Sequence, residues 1–225
     1  MNSTTPTLSV VVAPTAACGA FLAGALEALA AQRASPEFEV IVPVDESIAY
    51  APLAARFPRA RFLAVSGTAE LSRSRDPGVV HEATDLRRSA GLAAARGELV
   101  ALTDEHARPR ADWCARIAAL HAAHTHAAIG GAIENERDRA LNWALFFYDA
   151  GRYQNPLAEG PAQFVSDLNV SYKRAALERV RVWQPKYHET GLHDALRAEG
   201  EVTALSRELV VGVDRGELAD RKSVV

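Results

Sequence analysis

The chain has 225 residues, 48% hydrophobic and 24% charged, with a net charge of −3, the balance of a folded globular protein. Phosphate-backbone ligands leave a basic face on the proteins that bind them, and this sequence has no long Lys/Arg run, so nucleic acid is excluded as the main partner. The two cysteines, Cys18 and Cys114, lie far apart and in no metal-ligand spacing, which reads as two small buried hydrophobes in a reducing, cytoplasmic setting.

The opening MNSTTPTLSVVVAP has no basic n-region, and its apolar run is too short for a signal peptide or a transmembrane segment. Leu8 to Ala13 reads as a strand buried on both faces, stopped by Pro14. Ala20 to Gln32 then sets Phe21, Leu22, Leu26 and Leu29 at helical spacing. The alternation continues through strands at Phe38–Val44, Arg61–Val65 and Glu98–Leu102, with helices at Ala49–Phe57 and Leu86–Arg96. Such a pattern predicts a parallel sheet with right-handed crossovers, whose ligands bind beyond the carboxyl ends of the strands.

At those ends stand Pro14 and Thr15, then Asp45, Glu46 and Ser47, then Asp104, Glu105 and His106. Carboxylates gathered at one sheet edge repel one another unless a cation sits between them. A hard divalent ion meets that need, and an imidazole joins the set if the ion is Mn2+. The plainer alternative for Asp45 or Asp104 alone is that each caps the following helix.

In order, LSVVVAPT, FEVIVPVDES and RRSAGLAAARGELVALTDEH resemble the nucleotide-sugar-binding half of family 2 glycosyltransferases, with Arg88, Gly91, Gly97, Glu98 and Asp104 falling on the family's frame. Downstream, SDLNVSYKRAAL and YHETGLHDALRAEG resemble its acceptor-side strand and helix and its Glu-Asp-x-x-Leu segment. The resemblance implies an α/β GT-A fold, a Rossmann-like, mostly parallel central sheet flanked by helices. It implies a single domain over 1–225, with about 8–106 as the nucleotide-sugar half and about 107–211 as the acceptor half. It further implies a UDP- or GDP-sugar donor at Pro14, Thr15, Asp45, Glu46, Arg88 and Asp104, a divalent metal at Asp104, Glu105 and His106, and Glu189 as catalytic base in an inverting transfer to an acceptor hydroxyl.

The chemistry is consistent with that assignment. A departing diphosphate needs its charge stabilised, which a metal at Asp104 provides as a Lewis acid. Arg88 suits a diphosphate oxygen, and a carboxylate opposite the leaving group takes the acceptor proton. The chain departs from the family where His106 replaces the second metal-binding Asp, which favours Mn2+ over Mg2+. Ser89 replaces an Asn, Glu189 replaces an Asp, and no histidine follows LSRELVVGVDRG, where Asp214 is the nearest substitute. These departures keep open a degenerate relative that binds nucleotide or a protein partner without catalysis. A nucleotidyltransferase ranks below both, because APTAACGAF lacks a glycine-rich basic phosphate loop.

Three further segments complete the reading. In DWCARIAALHAAHTH, Trp113, Ile117 and Leu120 form a core stripe, and His121, His124 and His126 read as a solvated helix end rather than metal ligands. The glycines of GGAIEN either pass close beneath the donor or bend a strand. LNWALFFYDAGRYQNP is read as core, and exposure of Trp143 and Phe147 would instead indicate a hydrophobic acceptor or a membrane-surface encounter.

Overall fold

A computed structural model of the chain describes residues 5–15, 19–46 and 49–214; Cys18 and Ser47 lie outside them. In chain order the elements are β1 (Leu8–Val12), α1 (Gly19–Ala30), β2 (Phe38–Asp45), α2 (Ala51–Arg56), β3 (Ala60–Val65), α3 (Ala69–Ser72), α4 (Pro77–Ala94), β4 (Leu99–Thr103), β5 (Ala107–Pro109), α5 (Trp113–Ala123) and β6 (Ala128–Asn135). There follow α6 (Ala140–Asp149), a 3-10 turn (Gly151–Tyr153), β7 (Gly160–Pro161), β8 (Val170–Lys173), α7 (Arg174–Val180), α8 (Glu189–Ala198) and β9 (Thr203–Val213).

One nine-stranded sheet carries both halves, in the order β3-β2-β1-β4-β8-β6-β9-β5, with β7 paired to β9. The first four strands are parallel, as the alternation predicts. Beyond β4 the sheet is mixed: β8 runs antiparallel to both β4 and β6, whereas β6 and β9 are parallel. Because Leu102 pairs with Val170, the turn leading into β8 sits beside the carboxyl end of β4. That reversal brings residues of the C-terminal half to the edge where the parallel N-terminal strands end.

Helices cover both faces. On one, Leu22, Leu26 and Leu29 of α1 pack with Val10, Val12, Val42, Trp113 and Ile117; on the other, Ile41, Leu92 and Leu102 pack with Tyr172, Trp183, Leu192 and Leu196. Burial on both faces explains why β1 reads as an unbroken apolar run. The predicted helix at Leu86 begins instead at Pro77, because the Asp76 side chain accepts from the Gly78 N–H at 2.8 Å and Pro77 opens the first turn. Among the described residues no helix is long and apolar enough to cross a membrane.

Two glycines are required by close packing. A Cβ on Gly131 would lie 1.9 Å from the Leu209 carbonyl oxygen, where β9 bulges so that Gly131 pairs with Ser206 and Ala132 with Val210; the glycine makes room for the partner strand's bulge. A Cβ on Gly91 would lie 2.4 Å from Val11 Cγ1, which lets α4 approach β1. Gly91→Ala is expected to destabilise by about 1–3 kcal/mol through overpacking, read as a lower urea midpoint with unchanged m.

His121 is corrected: it is buried, with Nε2 2.9 Å from Ser171 Oγ, because β8 packs against the end of α5. Burial first, then Lys173, lowers its pKa to about 4. Cys114 is buried as expected, and burial raises its thiol to about 12. The aromatic segment divides. Phe146 and Tyr153 are core, Trp143 is half-buried with Nε1 donating to Asp138 at 2.9 Å, and Phe147 and Tyr148 are 60% and 87% exposed.

Candidate active site

Four of the sequence-predicted residues, Thr15, Arg88, Asp104 and Glu189, line one cavity of about 690 Å3 at the carboxyl edge of β1 and β4. Each comes from a different element. Thr15 ends the turn after β1, Arg88 projects from the middle of α4, Asp104 follows β4, and Glu189 opens α8. Asp167, from the turn before β8, completes the polar wall, and Phe147, Tyr148 and Arg152, from α6 and the 3-10 turn, line it as well.

Asp104 is buried, and one carboxylate oxygen accepts from the His106 N–H at 2.9 Å. It closes a tight turn into β5 rather than capping a helix. Asp45 does not cap either, since the N-cap of α2 is Tyr50. Asp45 is buried at the end of β2, 3.8 Å from Arg87 Nη1. Arg87 also donates to Ser72 Oγ at 2.7 Å and to the Thr15 carbonyl at 3.2 Å. Sequence reasoning passed over Arg87, yet it ties the ends of β1 and β2 to α3 and α4. Glu46 accepts from the Gly67 N–H at 3.3 Å, joining the end of β2 to the turn after β3, and Pro14 is buried beneath Thr15.

Arg88 is almost fully buried and held on two sides, with Nη1 3.1 Å from Asp85 and Nη2 2.9 Å from Asp167. Its guanidinium lies 5.7 Å from the centre of the Tyr187 ring. Burial alone would loosen its proton, but Asp167, Tyr187, Asp85 and Asp104 outweigh that and hold it protonated. Glu189 takes the Asp167 backbone N–H at 3.2 Å. Burial first, then the charge of Asp167, pushes the Glu189 carboxyl up to about 7. A carboxylate so placed accepts a proton near neutral pH with far more driving force than an ordinary glutamate.

The metal candidates separate. The Glu105 carboxylate is fully buried and accepts from the Thr15 N–H at 2.9 and 3.0 Å and from the Thr15 hydroxyl, so it points back into the β1 turn. His106 Nδ1 lies 2.8 Å from the Asp214 carbonyl oxygen; a carbonyl only accepts, so Nδ1 carries a hydrogen, and Nε2 faces the Glu105 carboxylate at 3.6 Å. Ligating histidines are oriented by this arrangement. Asp214 itself pairs with Arg137 at 2.6 Å. Among the described residues no three His, Cys, Asp or Glu side chains gather as a ready metal cage. A divalent ion held by one or two protein groups and a substrate's phosphates needs none; of the three candidates, Asp104 lines the cavity, whereas His106 Nε2 lies 3.6 Å from the Glu105 carboxylate.

No protein-family model and no curated protein sequence matches the chain. Solved structures do match its fold. TarS from S. aureus, residues 1–349 in complex with UDP-GlcNAc, superposes with a TM-score of 0.68 at 16% identity over 94% of this chain. The mannosyltransferase PcManGT from Pyrobaculum calidifontis, in complex with GDP-Man and Mn2+, does so with a TM-score of 0.66 at 19% identity over 98% of this chain. In both cases the chain spans 60% of the neighbour's length. The fold is therefore the GT-A-like α/β fold of nucleotide-sugar glycosyltransferases.

Proposed function

We propose that this chain is a metal-assisted, inverting glycosyltransferase of the family 2 type, moving a sugar from a UDP- or GDP-sugar to an acceptor hydroxyl. The observation that carries the reading is the convergence of Thr15, Arg88, Asp104 and Glu189 on one cavity. The donor lies across the ends of β1, β2 and β4, with Pro14, Thr15, Asp45 and Glu46 flanking the nucleoside and Arg88 against the diphosphate. Asp104, with His106 beside it, would hold a divalent ion, Mn2+ before Mg2+, while Glu105 supports the Thr15 turn. That ion supplies Lewis-acid stabilisation of charge on the leaving diphosphate.

On the acceptor side, Glu189 binds the attacking hydroxyl and takes its proton as the new C–O bond forms. The bond from the anomeric carbon to the diphosphate oxygen breaks on the opposite face, and that oxygen keeps the electron pair, so one displacement inverts the centre. Arg88 is protonated throughout and compensates charge on the departing oxygen. We read residues 1–225 as one domain and, from the free buried Cys114, place it in a reducing cytoplasm.

The test is thermal stabilisation by a panel of UDP-, GDP- and dTDP-sugars with and without Mn2+. A ligand at about 100 times its Kd adds about 2.7 kcal/mol. A melting shift with one nucleotide class that requires Mn2+ supports the reading. The fixed Glu105–Thr15 contacts favour one alternative, a nucleotide-binding relative without turnover, which predicts a shift independent of metal. No shift with any donor overturns both.

A further inference from the structure

Arg88 and Glu189 line the same cavity, yet they are not each other's partners. Between them stands Asp167, which touches both: its carboxylate takes Arg88 Nη2 at 2.9 Å, and its backbone N–H donates to Glu189 Oε2 at 3.2 Å. Asp85 takes Nη1 at 3.1 Å, so both terminal nitrogens of Arg88 are committed to aspartates. The geometry points to Asp167 as a positioning residue: by holding the Arg88 guanidinium it keeps that charge off Glu189, so that Glu189 stays a proton acceptor.

The argument is electrostatic and steric. A guanidinium set directly against a carboxylate lowers its proton affinity and makes it a poorer base. Arg88 is buried, and the Tyr187 ring 5.7 Å from its guanidinium limits its other orientations. With the Asp167 carboxylate gone, the carboxylates left on the cavity wall within electrostatic reach of Arg88 are Asp104 and Glu189. The ionisable groups facing Glu189 are Asp167 from the turn before β8, Arg88 from α4, Arg152 and Tyr153 from the 3-10 turn, Tyr172 from β8, and Tyr187 ahead of α8. The two cations in that set are Arg88, bound on both sides, and Arg152, which is exposed on the cavity rim. Burial first and then the charge of Asp167 raise Glu189, against the lowering effect of Arg88 and Arg152.

The inference rests on the reading of Glu189 as the proton acceptor, but its test needs no donor or acceptor. Protein labelled with 13C at glutamate side-chain carboxyls is titrated by NMR, with the Glu189 resonance assigned by its loss in Glu189→Gln. The midpoint in the unsubstituted protein is expected near 7. In Asp167→Asn it is expected to fall by about one pH unit or more, and Asp167→Glu restores it. Removing one negative charge lowers the midpoint by itself, so the deciding comparison is made in an Arg88→Gln background. There, Asp167→Asn is expected to produce less than about half the drop. An equal drop in both backgrounds, or no drop in either, overturns the assignment. Asp167→Ser serves as the second variant if Asp167→Asn fails to fold. A failed nucleotide panel leaves these titrations intact, so the two readings fail separately.

Discussion

Glu189→Gln is expected to slow glycosyl transfer by about 10²- to 10⁴-fold, the range that general-base catalysis supplies, while the donor still stabilises the protein in a thermal melt. The side chain differs by one atom and can still accept the Asp167 N–H, so packing is preserved and proton transfer is not. The same substitution has an opposite effect on stability. A carboxyl whose folded pKa is raised from 4.5 to about 7 stabilises the fold below the lower value and loses that contribution as pH rises through the upper one. Glu189→Gln should therefore melt above the unsubstituted protein at pH 8 and lose that advantage by pH 5. Activity of the unsubstituted enzyme should rise along an acid limb centred near 7. A variant that keeps its rate, or an acid limb near the ordinary glutamate value, would remove Glu189 from the mechanism.

Asp104→Ala is expected to abolish the Mn2+-dependent part of donor stabilisation and to cut transfer by about 10³-fold or more, since a Lewis acid at the leaving group is worth several kcal/mol. Two consequences separate in the experiment. Arg88 keeps Asp85 and Asp167 as partners, so its position should survive; the turn into β5 loses the bond from the His106 N–H. The readout is the melting shift with and without Mn2+ in unsubstituted and variant protein. An undiminished Mn2+-dependent shift in Asp104→Ala would assign the ion to other groups.

The carboxyl edge of the parallel strands was legible because it is written in chain order. Strand ends followed by Thr15, Asp45 and Asp104 announce themselves wherever apolar runs stop, and parallel crossovers bring such ends to one side. Glu189 was legible only through the order of the downstream motifs. Asp167 carried no signal of its own: its importance comes from β8 running antiparallel beside β4, a pairing that local periodicity does not encode. Arg87 was hidden by its neighbour, since adjacent helical residues point in different directions and only the fold shows which reaches Asp45 and which reaches the cavity. His121 was misread because its burial comes from Ser171, fifty positions away. The early start of α4 was, in contrast, available in the sequence as Asp76 before Pro77.

The buried bond from the Thr103 hydroxyl to the Leu168 carbonyl, 2.9 Å long, fastens the strand that ends in Asp104 to the turn that carries Asp167. Asp104 follows β4 and Asp167 precedes the neighbouring β8, so that bond ties together the two turns that carry these aspartates. Phe147, Tyr148 and Arg152, from α6 and the 3-10 turn, line the same cavity. Under the proposed function, exchange of Phe147, Tyr148 or Arg152 is expected to change the acceptor taken more than the chemistry at Asp104 and Glu189.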